Sequence, residues 1–242
     1  MSKELTKQST EVATIEEDAF GQAGGMEDVI IPKITVMQKM SKLLEDREDL
    51  KVGDFVESLN DEKLGSIKEP LEFIPFFMEK LWFRSQKVGN SFEFVSIEDF
   101  NPSNARRRYS ETVDGVDYKN ELHMKFYCIL PEDPSIPYAI TFKGMSQKIG
   151  KALYTQMYVK NKLGGLSAAG KVMNLAGVKQ ENEKGSFIVL GTTVGRDTTQ
   201  EELHTALMWY KTLQSGAAST KSDEPDHVQR NTAQAAQDTA QF

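Results

Sequence analysis

The residues able to do chemistry in this 242-residue chain are lysines, arginines and aromatic rings, in patterns suited to holding an anionic chain rather than to breaking bonds. Gln147, Lys151, Tyr154 and Tyr158 recur at i, i+4, i+7 and i+11, which is one helical face, while Ile149 and Leu153 occupy another. Between 122 and 130 the strand period places Leu122, Met124, Phe126, Cys128 and Leu130 on one side and His123, Lys125 and Tyr127 on the other. Rings stacked on bases contribute roughly 1–3 kcal/mol per base whatever the sequence, and neighbouring ammonium groups meet the phosphates. Trp82 and Arg84 end a long apolar run, and Arg106, Arg107 and Arg108 are adjacent in a polar stretch. A guanidinium is a planar fork that fits phosphate and stacks on bases. Each pattern also has a plainer explanation: an ordinary strand with Tyr127 under a helix or tail, tyrosines packed beneath a loop or at a homodimer contact, lysines on a solvated face.

Catalytic chemistry is poorly served. Gly165-Leu166-Ser167-Ala168-Ala169-Gly170-Lys171-Val172 matches G-x-x-x-x-G-K, but Val172 stands where a magnesium-binding hydroxyl is required. A helix rather than a strand precedes the loop, so nucleotide hydrolysis is not expected. The glycines and Lys171 still allow backbone amides and an ammonium to approach a phosphate. Cys128 is the only cysteine, and with His123, His204 and His227 it gives neither a disulfide framework nor metal-ligand spacing. No Ser/His/Asp or Cys/His pair stands out. The chain reads as a non-enzymatic binding protein with no cofactor and no metal.

The formal net charge is −7, unevenly spread. Residues 1–31 hold two lysines against seven acids, and 214–242 hold two basic residues against four acids. The stretch 143–184 carries eight lysines against Glu181 and Glu183, a local +6. Lys143, Lys148, Lys151, Lys160, Lys162 and Lys171 are therefore the candidate phosphate contacts.

Three regions must position these groups. Residues 1–28 lack apolar periodicity and read as an acidic disordered segment; 215–242 are polar, Ala/Gln-rich and read as a disordered tail ending at Phe242. Residues 29–214 form the binding domain. Within it, strands are expected near 51–56, 71–83 (with an edge or bulge at Pro75), 91–97, 121–130, 138–143, 172–177 and 186–194. A polar loop spans 99–120. Helices are expected over 145–162 and from the capping box at Thr198–Glu202 to about Gln214, the last burying Leu203, Ala206, Leu207 and Tyr210. Many short strands with flanking helices point to a mainly β fold, an oligonucleotide-binding-type (OB-fold-like) Greek-key barrel.

The segments IPKITVMQKMSK, KVGDFVESL, LEFIPFF and KGSFIVLGTTVGRDTTQEEL, with the terminal Phe242 after a polar tail, resemble phage-encoded single-stranded-DNA-binding proteins. The resemblance runs from about residue 30 to 213 plus the tip. It implies an OB fold, sequence-tolerant single-stranded DNA binding, and a tail that docks replication or recombination partners through Phe242. This chain departs from the group at the tail, where only Asp238 stands near Phe242. The competing reading is a protein-interaction module, such as a phage inhibitor of a host enzyme or a minor structural protein, marked by an apolar patch without a lysine-lined groove. With no signal peptide and no apolar run near the roughly 20 residues of a membrane span, a cytoplasmic setting without membrane contact is expected.

Overall fold

The computed structural model describes residues 30–183 and 185–215. Segment 1–28, the tail beyond Ser215 and Phe242 lie outside the described residues, as does Lys184. The elements in chain order are β1 (Lys33–Val36), α1 (Leu43–Asp46), β2 (Asp54–Glu57), β3 (Lys63–Ser66), β4 (Leu71–Val88), β5 (Ser91–Asp99), β6 (Ser110–Val113), β7 (Val116–Ile129), β8 (Pro137–Phe142), α2 (Gln147–Thr155), β9 (Lys171–Asn182), β10 (Gly185–Asp197) and α3 (Gln200–Gln214). The chain is mainly β, 48% strand, with the sheet curled into a half-barrel consistent with the expected barrel class.

Alternation along the strands explains the curl. One face of β7 (Met124, Phe126, Cys128) meets Ile140 and Phe142 of β8, Phe55 of β2 and Leu175 of β9 in a buried interior. α2 plugs this interior with Leu153, and the π-turn after it (Gln156–Asn161) adds Met157, both 1% exposed. Burying each contributes roughly 1.5–3 kcal/mol. The helix approaches closely because residue 150 is glycine: a Cβ there would lie 2.9 Å from the Phe142 Cβ.

The strand order is β10-β9-β4-β7-β8-β1-β2-β3, with β5 added to β4 and β6 to β7. β1 and β8 are parallel; the other pairs are antiparallel. β4 pairs with β9 through Leu71–Phe73 and with β7 from Ile74 onward, and the register shifts between Pro75 and Phe77, where proline lacks the ladder N–H. The two ends of the curl meet at Gln38. Its side-chain amide donates to the Ile188 carbonyl (3.0 Å) and accepts from the Ile188 N–H (2.8 Å), taking the place of a neighbouring strand. Ser146 Oγ does the same for the Leu190 N–H at 3.0 Å.

Two expectations need correction. The polar stretch 99–120 is a loop only to about residue 109; beyond it, β6 and β7 form a hairpin around Asp114-Gly115, both at positive φ (50° and 79°) as a tight two-residue turn requires. Leu207 is 40% exposed. α3 instead turns Leu203, Ala206, Trp209, Tyr210 and Leu213 inward, onto a second core with Ile74, Phe76, Tyr127 and Ile129. The capping box forms as expected: Thr199 Oγ1 accepts from the Glu202 N–H and the Glu202 carboxylate accepts from the Thr199 N–H.

Two measurements follow. Gln38→Ala strands both the N–H and the carbonyl of Ile188, so the urea midpoint should fall by the equivalent of about 1–3 kcal/mol; an unchanged midpoint would show that closure does not depend on this amide. Glu202 is held down to about 2, chiefly by hydrogen bonds from Arg196 and against its own desolvation. A carboxyl with a folded pKa below its unfolded value of about 4.3 contributes stability above that unfolded value and loses it as pH falls toward about 2. Glu202→Gln should therefore flatten the acid limb of the stability–pH curve between those limits.

Candidate nucleic-acid interface

β4, β5, β6 and β7 run past the barrel as a projecting arm, and register decides which side chains share its faces. Lys80 faces Met124, Trp82 faces Leu122 and Arg84 faces Asn120, which is the side carrying the interior core and α2. Leu81 faces His123, Phe83 faces Glu121 and Ser85 faces Lys119 on the opposite side.

On the first face the rings and cations form a ladder. Trp82 stacks on Phe100 with centroids 6.3 Å apart. Lys80 Nζ lies 5.2 Å from the Phe100 ring and 5.3 Å from that of Tyr154. Tyr154 and Tyr158 are 4.8 Å apart, and Lys162 Nζ lies 5.9 Å from Tyr158. Tyr154 and Lys162 are exposed, Lys80, Phe100 and Tyr158 are half-buried, and Trp82 is buried. Burial pushes the Tyr158 hydroxyl up to about 12, so it remains a neutral donor. Lys148, Lys151 and Lys160 are exposed along the same helical segment.

At the Trp82 end the loop 100–109 folds over the arm. Arg107 Nη2 donates to Glu98 at 2.8 Å, Arg84 pairs with Glu111 at 3.2 Å, and the Arg84 guanidinium lies 3.9 Å from the Tyr118 ring. The Asn120 side chain donates to the Arg108 carbonyl at 3.0 Å. Among the described residues, Trp82 Nε1, Arg84 Nε and Arg107 Nη1 are buried N–H donors with no acceptor, and Asn120 Oδ1 is a buried acceptor with no donor. Arg106 and Arg108 are exposed.

On the second face an open cleft of about 640 Å³ lies among β1, β4, β5, β7, β8 and β10. Lys33, Lys119 and Lys143 line it with Phe83, Phe94 and Phe187. His123 stacks on Phe83 at 3.8 Å and sits 3.3 Å from Glu121, whose carboxyl is held below its usual range first by His123 and then by nearby lysines. Lys119 is raised above its ordinary value by a hydrogen bond with Tyr109.

Thus Trp82, Tyr154, Tyr158 and Lys162 come together with Lys80 and Phe100, which sequence reasoning missed; Arg84 and Arg107 adjoin them. His123 and Lys143 line the cleft with Lys33, Lys119, Phe83 and Phe94, also missed. The expectation that His123, Lys125 and Tyr127 form a solvent-facing strand surface is corrected. Lys125 and Tyr127 are each 2% exposed and His123 6%. α3 covers this stretch: Tyr210 meets Phe77, which stacks on Tyr127, and the Tyr127 hydroxyl donates to Glu79 at 2.8 Å. Lys171 stands apart, at the start of β9, ion-paired with Asp197.

Among the described residues no helix is long and apolar enough to cross a membrane. No curated protein and no solved structure matches the chain. A family described as Pam3 phage gp34-like protein matches residues 5–219, and the chain therefore belongs to that family of phage proteins.

Proposed function

We propose that the chain binds single-stranded DNA without sequence preference, as an accessory of phage replication or recombination with an oligonucleotide-binding-type barrel. The observation that carries this reading is the ladder from Trp82 through Phe100, Lys80, Tyr154 and Tyr158 to Lys162, in which two pairs of rings are each followed by a lysine. Such a surface offers each base a flat apolar partner and each phosphate a nearby positive charge, and it reads no base edge. Docking of replication or recombination proteins by the segment ending at Phe242 belongs to the same reading and rests on the resemblance alone. A lysine-lined cleft on the opposite face of the arm favours this reading over a purely apolar interaction module.

Trp82 lies in the ladder, whereas Trp209 lies in α3 with its Nε1 donating to the Pro134 carbonyl at 3.3 Å. A Trp209→Phe chain therefore reports from Trp82 alone. Poly(dT) is expected to change its emission, with log K falling against log salt by about 0.7 per phosphate contact. Tyr154→Ala should weaken binding about tenfold, since a stacked base is worth roughly 1–3 kcal/mol. A flat titration at low salt removes the reading.

A further inference from the structure

The cleft on the opposite face of the arm is a different kind of site from the ladder. It is a concavity of about 640 Å³, within the roughly 300–1,000 Å³ that small ligands occupy. Its chemistry is divided. Phe83 and Phe94, centroids 6.4 Å apart, make an aromatic corner, and Phe83 is held in place by the His123 ring stacked on it at 3.8 Å. Lys119 and Lys143 supply positive charge, with Lys33 on the β1 wall. Thr35, Thr141 and Ser85 also line the cleft. Among the described residues the one carboxylate lining it, Glu121, is engaged with His123.

A ligand matched to this division has a flat, apolar ring system at one end and an anion at the other. We infer that the cleft is a second binding site, for a nucleoside phosphate, with the base against Phe83 and Phe94 and the phosphate between Lys119 and Lys143. Stacking on the phenylalanines and charge-assisted hydrogen bonds to the lysines act together, so neither a nucleoside nor inorganic phosphate satisfies the site alone. The nucleotide arrives either free in solution or as one unit of a DNA strand, and both present the same chemistry. The inference does not depend on the ladder, because Lys80, Trp82 and Tyr154 contribute nothing to the cleft lining.

Isothermal titration of the full chain with dAMP, deoxyadenosine and inorganic phosphate tests it. dAMP should bind in one equivalent, with deoxyadenosine and phosphate each markedly weaker. Lys143 is exposed, so Lys143→Glu keeps the fold and should weaken dAMP about tenfold through charge reversal. Phe94→Ala should do so to a similar degree, about tenfold, through lost stacking. Tyr154→Ala should leave dAMP binding unchanged while weakening poly(dT). Saturating the protein with poly(dT) separates the two sources: dAMP that still binds identifies a free nucleotide, and dAMP that is displaced identifies a nucleotide of the strand. No heat with dAMP at millimolar concentration, or full binding by both cleft variants, overturns the inference. Loss of poly(dT) binding with dAMP binding intact would overturn the ladder and leave the cleft standing.

Discussion

Leu71–Val88 is a single strand with three partners, and its backbone hydrogen bonds fix where every ring and cation of the interface can sit. Its first residues belong with β9 and its middle with β7; Leu81–Gln86 lie between β7 and β5, and Lys87 and Val88 pair with β5. A flat strand could not serve all three while closing a barrel. The register shift after Pro75 supplies the bend, because proline has no N–H to offer the ladder and the extra residue raises the local twist. Beyond the bend the strand stays in the core as far as Trp82 and then continues as the spine of the arm. Side-chain alternation then does the rest: even residues Lys80, Trp82 and Arg84 go to the face shared with α2, and odd residues Phe83 and Ser85 to the cleft.

One strand thereby furnishes two unlike surfaces. The ladder is a series of rings and lysines drawn from β4, the residue that follows β5, α2 and the π-turn after it, with Lys80 and Tyr154 making its link between sheet and helix. The cleft is concave and its aromatic corner is braced by the stacked ring of a buried histidine. Surfaces of the first kind bind a run of bases loosely and repeatedly; surfaces of the second kind hold one group. The Gln38–Ile188 hydrogen bonds bear on the second, since both residues are in the cleft wall.

Local signals in the sequence were strong enough to read most elements. The capping box at Thr199 and Glu202, the bulge at Pro75 and the alternation in β7 each follow from a few neighbouring residues. The β6–β7 hairpin was equally local, since Asp114-Gly115 between Val113 and Val116 is a tight-turn signature, but the polarity of the surrounding stretch obscured it. What could not be read was which face of β7 a distant element covers. Alternation separates Tyr127 from Phe126, yet only α3, arriving more than seventy residues later by way of Tyr210 and Phe77, decides that Tyr127 is buried. The same holds for Lys80 and Phe100: neither has a telling neighbour in sequence, and they become a pair with Tyr154 only when α2 docks on the sheet.

The net charge of −7 does not oppose a polyanion if the cations at the interface stay electrostatically uncancelled. The way each cation is held decides this. Arg107 with Glu98 and Lys171 with Asp197 are ion pairs, and an ion pair largely cancels its own field beyond a Debye length of about 8 Å. Lys80 and Lys162 are held over rings instead. A ring attracts an ammonium through its quadrupole but carries no net charge, so the lysine is positioned while its full charge still faces outward. Rings therefore serve the ladder twice, as platforms for bases and as the means of fixing cations without neutralising them. Acidic residues concentrated in 1–31 can then lower the total charge without lowering the potential where a phosphate would lie.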